Sequence, residues 1–314
     1  MTVAGEAAAP ATPLWRGLIK LARPKQWSKS VFVAVGPAYW LMDNTPEDFG
    51  RFALNVLLAC AAFALASSGC YVFNDLADIE EDRNHPRKKN RPLASGVVPV
   101  GIAKWYGIGL FALAALCIAP MPSVAWWVCG LLLAGYVTNV MVYSAGLKRY
   151  VIADVMSLSM GFVLRVFGGC AAIAIAPTTW LLNVVLFLSM TLAFGKRLGE
   201  RRAAGANPGA IRGVQEQYSD ELLRMALVVT AVGTLLTYAG YVTTREADFM
   251  FYGFNWLWLS LLPATYGLLR AILLLEHGIY DDPTELAVSD RQVQATVGLF
   301  GAIMIGLQLM PQGG

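Results

Sequence analysis

Charge is what this chain has least of. Only 14% of its 314 residues are Asp, Glu, Lys or Arg, against roughly 25% in an ordinary soluble domain. With 57% of residues hydrophobic, that shortage excludes a water-soluble globular class and points to lipid as the solvent. Paired cysteines are missing too. Cys60, Cys70, Cys117, Cys129 and Cys170 fall within or at the ends of apolar stretches without a CxxC pair, so they read as packing residues rather than metal ligands. A cleavable signal peptide is not expected, because residues 1–13 are Ala/Pro-rich and a basic stretch follows where an apolar h-region would stand. Those residues read as a disordered N-terminus, and 14–314 as one transmembrane domain without internal repeat. No nucleic acid is expected as a partner.

What remains is a succession of apolar runs. A hydrocarbon core about 30 Å thick needs about 20 such residues per helix. Nine spans are predicted, near 28–43, 52–74, 97–118, 123–143, 151–175, 179–195, 222–243, 253–275 and 292–310, the first interrupted by Gly36 and Pro37. The fold class is therefore all-α and polytopic. The basic residues collect in alternate loops: Arg16 to Lys29, Arg83 to Lys104, Lys148–Arg149, Lys196 to Arg224, and Arg291. The opposite loops carry Arg51 and Arg245. Basic loops stay in the cytoplasm, so nine spans with a cytoplasmic amino terminus satisfy every loop, in a cell membrane and with the acidic and basic clusters facing the cytoplasm. Eight or ten spans would strand one basic loop outside.

The first cluster with chemistry is Asn74-Asp75-Leu-Ala-Asp78-Ile-Glu-Glu-Asp82 at the end of the second run. With about 100° of rotation per helical residue, Asp75, Asp78 and Asp82 fall within an arc of roughly 60°. Three like charges on one face repel unless a divalent cation sits among them, and Mg²⁺ takes one or two carboxylates plus waters and phosphate oxygens. A solvated acidic helix end is the plain alternative. Arg83, Arg87, Lys88, Lys89 and Arg91, directly following, favour a metal-bound diphosphate with Asn74 ordering the acids.

Three further clusters follow. Tyr143-Ser-Ala-Gly-Leu-Lys148-Arg149 precedes Asp154, and Asp154 shares a helical stripe with Ser157, Gly161 and Arg165. An ionisable group deep in a span, such as Arg165, marks function or a wet cavity; an internal Asp154–Arg165 salt bridge is the structural alternative. Lys196-Arg197-Leu-Gly-Glu200-Arg201-Arg202, continuing to Arg212 and Tyr218, offers guanidinium forks and ammonium charges for phosphate, although topology alone can demand such a cluster. Arg23-Pro24-Lys25-Gln26-Trp27-Ser28-Lys29 reads as an interfacial amphipathic helix whose bases meet anionic lipid or substrate. The acidic stretch from Asp281 to Asp290 reads as a helix start.

Asn74-Asp75-x-x-Asp78-x-x-x-Asp82 in a nine-span chain resembles the first signature of the UbiA-type polyprenyltransferase superfamily. The resemblance implies a helical bundle around a lipid-accessible cavity, with Mg²⁺ and a diphosphate under a cytoplasmic cap. Quinone-pathway members carry a second Asp-rich motif after the sixth span, where this chain reads Gly195-Lys196-Arg197-Leu-Gly-Glu200-Arg201. Further segments resemble a branch that serves mycobacterial cell-wall arabinan synthesis: Arg23 to Trp27, Arg83-x-His85-Pro86, Arg91-Pro92 through Pro99, Gly146-Leu-Lys148, Arg165 with Gly168-Gly169, and Lys196 to Glu200. That branch implies transfer of 5-phosphoribose from phosphoribosyl pyrophosphate to a polyprenyl phosphate, in a chain compatible with a homo-oligomer. On it, Asp75, Asp78 and Asp82 are metal ligands; Lys196, Arg197 and Arg201 hold donor phosphates; Tyr143 and Lys148 close the opposite wall. Arg83 and Asp154 join the substrate site, while Lys29 and Arg165 serve the lipid phosphate or the acidic network. Prenyl transfer to an aromatic acceptor and a lipid-phosphate carrier remain as alternatives.

Overall fold

In lipid every backbone N–H and C=O must find a partner within the protein, which leaves the helix as the available form for an apolar run. The computed structural model describes residues 13–86, 88–204, 217–277 and 289–309. Residues 1–12 of the expected disordered start, Arg87, Arg212 and the acidic residues 281–285 lie outside the described residues. In chain order the helices are α1 (Leu14–Ala22), α2 (Val35–Trp40), α3 (Phe49–Ala77), α4 (Ile79–Asn84), α5 (Val100–Ile118) and α6 (Ser123–Ala145). Then come α7 (Ala153–Ala172), α8 (Thr179–Ala204), α9 (Asp220–Thr244), α10 (Leu261–Glu276) and α11 (Arg291–Leu309). Eight stretches, namely α3, α5 to α9, Trp256–Glu276 and α11, are long and apolar enough to cross a membrane.

The ninth expected span is built differently. Pro24–Ala34 is a 3₁₀ helix running into α2, where the Gly36–Pro37 pair keeps a long α-helix from forming. At about 2.0 Å per 3₁₀ residue and about 1.5 Å per α residue, this stretch reaches roughly 31 Å, the thickness of a hydrocarbon core. Its ends meet opposite ends of the bundle. Arg23 pairs with Asp75 near the end of α3, and beyond α2 Asp43 pairs with Arg245 just past α9.

Residues 23–29 are expected as an amphipathic helix at the interface; they begin the 3₁₀ stretch instead of an α-helix of their own, with Lys25 and Trp27 exposed. The Trp27 indole donates to Ser68 Oγ at 2.9 Å, and Ser68 in turn donates to the Ala22 carbonyl. These bonds fasten the stretch to α3. The exposed surface continues from the preceding element, where Trp15 and Ile19 of α1 are exposed as well. Close packing against α7 depends on two glycines. A Cβ on Gly169 would lie 1.7 Å from the Val33 carbonyl oxygen, and one on Gly36 would lie 2.2 Å from Cys170 Sγ. Small residues that let backbones approach are how helices associate where lipid removes the hydrophobic drive.

The helices pack α3 on α5, α6 on α7, and α7 on α8, with α8 also against α9 and α10, and α10 on α11. Val33, Phe63, Ala114, Cys129 and Tyr136 form the core of the first half; Val155, Phe194, Leu198, Tyr218 and Leu227 form that of the second. At the end away from the acids a small hairpin pairs Met250 with Asn255 and Phe251 with Phe254. Tyr252 and Gly253 turn it with φ of 53° and 75°, the positive-φ pair a tight hairpin prefers.

Candidate active site

α3 carries Asp75 to its last turn and stops at Ala77. Asp78 caps it at φ −93°, ψ 8° before α4 begins. That bend breaks the single acidic face expected from continuous helical rotation. Asp75 and Asp82 come together, both almost fully buried, and share one guanidinium: Arg91 Nη1 lies 3.2 Å from Asp75 Oδ1 and 2.7 Å from Asp82 Oδ2. Asp75 also accepts from Arg23 at 2.6 Å. Asp78 is half-buried and turns aside, accepting from Asn74 Nδ2 at 3.3 Å. Among the described residues no group of three or more His, Cys, Asp or Glu is placed to hold a metal ion.

The residues present nonetheless fit a divalent cation. Two buried carboxylates already converge on one cationic group, and Asp82 Oδ1 is buried without a hydrogen-bond partner, with Lys88 Nζ at 3.9 Å. One or two carboxylates, completed by phosphate oxygens and water, is the donor set Mg²⁺ prefers. Asp75 and Asp82 would hold it, and Arg23 and Arg91 would be left to meet phosphate.

A second node joins α7, α8 and the start of α9. Asp154 is fully buried; its Oδ1 accepts from Tyr218 Oη at 2.5 Å, and its Oδ2 lies 3.4 Å from Arg197 Nε. Arg197 also donates to Glu200 at 3.0 Å. Tyr218 accepts from the Ile152 N–H at 2.7 Å. Ile152 has φ 70°, a strained conformation for a β-branched residue that persists only where its surroundings fix it. Burial pushes the Tyr218 hydroxyl up from its ordinary value, and its bond to Asp154 adds to this. The phenol thus stays a donor.

Between the two nodes lies a cavity of about 190 Å³. Its walls are helical stripes: Ser67, Cys70, Tyr71 and Asn74 from α3; Tyr136, Asn139 and Tyr143 from α6; Ser157, Gly161 and Arg165 from α7. Seven or eight residues per stripe at about 1.5 Å each give a depth of roughly 11 Å. Asn74 and Tyr143 stand at the mouth, Ser67, Tyr136 and Arg165 at the floor. Arg23 and Lys29 add two more cations, and among the described residues no carboxylate lines the cavity. Asp154 and Arg165 do not form the salt bridge that their shared stripe allows. Ser157 instead bonds Asn139, and Arg165 donates to Tyr136 Oη at 2.6 Å and to the Gly161 carbonyl at 3.1 Å.

The remaining sequence-predicted residues stand around this centre. Lys196 is 4.0 Å from Glu200, and Arg201 holds Asp220 at 2.7 Å. Lys148, half-buried on the 3₁₀ turn Leu147–Arg149, follows the end of α6. Arg83 is exposed and pairs with Glu80, away from the shared acids. Sequence reasoning did not single out Arg23 and Arg91 as the acids' partners, nor Ser67, Tyr136 and Asn139 as walls. Arg91 stood in the basic run after the acids, and the walls carry a 3.6-residue spacing; both signals are visible only once a partner face is known.

A helical membrane bundle with a cationic intramembrane cavity opening beside paired acids defines a class of lipid-embedded transferases that handle phosphorylated substrates. The chain belongs to the UbiA prenyltransferase family, whose signature spans residues 30–297. It is 33% identical over 308 residues, 94% of each chain, to a decaprenyl-phosphate phosphoribosyltransferase of Mycolicibacterium smegmatis. A Corynebacterium glutamicum protein of the same name is 32% identical, covering 96% of this chain and 90% of the relative. In fold it is similar to a UbiA homolog from Archaeoglobus fulgidus bound to DMAPP and Mg²⁺, with a TM-score of 0.66 at 18% identity over 94% of this chain and all of the other.

Proposed function

We propose that this protein transfers 5-phosphoribose from phosphoribosyl pyrophosphate to the phosphate of a polyprenyl phosphate, decaprenyl in the relatives' case, and releases pyrophosphate. The observation that carries this reading is the near full-length similarity to two proteins named for that reaction, together with a cavity that holds Arg23, Lys29 and Arg165 and, among the described residues, no acid. The basic Lys196–Arg197 where quinone-pathway members carry acids points the same way.

In the reaction the C1–O bond to pyrophosphate breaks and a C1–O bond to the lipid phosphate forms. The lipid phosphate is already an anion, so no base is needed to generate the nucleophile. A divalent cation held by Asp75 and Asp82 would supply charge neutralisation to the departing pyrophosphate. Arg23 and Arg91, prepositioned on the carboxylates, offer fixed cations at the same place, where preorganised charge matters most. Asn74 orients Asp78. Lys196 and Arg201, with Arg197 braced on Asp154 and Glu200, form a basic wall on the α8 side, and Tyr143 neighbours Arg197 and Asp154. Lys148 closes the far wall. The basic loops support a cytoplasmic location for this end of the bundle.

The test is purified protein in detergent with Mg²⁺, labelled phosphoribosyl pyrophosphate and a polyprenyl phosphate. Label is expected in the lipid phase. A parallel assay offers a prenyl diphosphate and 4-hydroxybenzoate; prenylation there, with no label moved from the phosphoribosyl donor, would overturn the reading. Product in detergent, where no compartment exists, also excludes a carrier.

A further inference from the structure

We infer that the floor of the cavity is a phosphate subsite of its own, built on Arg165, and that it takes the 5-phosphate of the donor sugar. The inference rests on the phosphoribosyl reading above and assigns one end of that donor.

Arg165 is 5% exposed. Burying a guanidinium without an opposite charge is costly, yet its described partners are neutral: the Tyr136 hydroxyl and the Gly161 carbonyl. Its Nε is buried with no hydrogen-bond partner. The group lies 4.4 Å from the Tyr136 ring centre and 5.8 Å from that of Phe162. Those contacts fix its plane and leave its charge uncompensated. Among the described residues no carboxylate pairs with it. A planar, fixed guanidinium with N–H donors to spare suits phosphate oxygens. Ser67 and Lys29 line the same cavity and complete a polar floor.

The spacing selects which phosphate. The acid pair lies at the mouth, one residue from Asn74, and Arg165 lies roughly 11 Å deeper by helical rise. A pentose with a diphosphate on C1 and a phosphate on C5 carries anions at its two ends, so one donor can engage both levels at once. The C1 diphosphate then meets Asp75, Asp82, Arg23 and Arg91, and the 5-phosphate meets Arg165. The lipid's phosphate is the other phosphomonoester available. It would have to bring a chain of tens of carbons into a space of about 190 Å³, and is better placed approaching from the side.

Binding of three probes to the full-length protein in detergent separates the sources: ribose 5-phosphate, inorganic pyrophosphate with Mg²⁺, and farnesyl phosphate. Arg165→Gln is expected to weaken ribose 5-phosphate by about tenfold or more, the scale of a lost charge-assisted hydrogen bond. Pyrophosphate and farnesyl phosphate should change less than threefold, on the same scale. Arg165→Lys should recover part of the loss, and Tyr136→Phe, a milder change, should weaken the same probe alone. Selective loss of farnesyl phosphate would give the floor to the acceptor and overturn the inference, as would equal loss of all three probes or no loss at all. If the wild-type protein neither binds ribose 5-phosphate nor moves label from the phosphoribosyl donor, the proposed function itself fails. If transfer proceeds and Arg165→Gln leaves the donor KM unchanged, only this subsite fails.

Discussion

Asp75 and Asp82 hold a single guanidinium between them, so the charge balance of the site turns on individual side chains. Asp75→Asn keeps the shape but removes one anion from the pair. Transfer should fall roughly 100-fold or more, the scale of losing one preorganised charge contact, while the purified protein unfolds within a few degrees of wild type in a thermal scan. Near-wild-type turnover would remove Asp75 from the site. Tyr218 gives a pH-dependent counterpart. Its hydroxyl titrates higher in the folded protein than in the unfolded chain, mainly through burial. Its contribution is therefore fully present below the unfolded value of about 10, and is lost as pH rises through the folded one. The stability gap between wild type and Tyr218→Phe should stay constant from pH 7 to 9 and shrink above pH 10; a gap that grows there would contradict the geometry.

At the scale of an element, the 24–40 stretch is mostly 3₁₀ helix and depends on a close approach to α7. Its seat on α7 exists because Gly169 has no side chain. Gly169→Ala forces a Cβ into the Val33 carbonyl and should cost about 1–3 kcal/mol by overpacking, read as a lower Tm. It should also weaken donor use, because Arg23 begins at the head of this stretch. Gly298→Ala on α11 meets nothing within 4 Å and should leave both unchanged or raise Tm slightly, since Ala favours a helix. Equal effects from the two substitutions would mean that the close approach is unimportant.

For the whole molecule the 3₁₀ stretch decides the sidedness. If it crosses the membrane there are nine crossings, and the two ends of the described chain lie on opposite faces. A fluorescent reporter before Leu14 and a periplasmic-active phosphatase after Leu309 should both be active in cells. A phosphatase that stays inactive, with a fluorescent reporter active at both ends, would make the count eight.

Much of this arrangement was legible in the amino-acid order. Apolar run length fixed the spans, because lipid leaves a chain no alternative to pairing its backbone within a helix. Loop charge gives an expectation for their sidedness, which the reporter fusions test. Asn74 to Asp82 and Lys196 to Arg201 stand out as charged clusters by residue type and spacing alone, and the structure places Asp75 with Asp82 and Arg197 with Asp154. Local periodicity could not foresee that α3 would end at Ala77, since that bend turns Asp78 away and is held by Arg23 and Arg91 from elsewhere in the chain. Nor could it pair Asp154 with Tyr218 and Arg197 rather than Arg165, which lies on its own helix face. Partners distant in sequence are chosen by how helices pack, and only the tertiary structure brings Ser67, Tyr136 and Arg165 to one cavity floor.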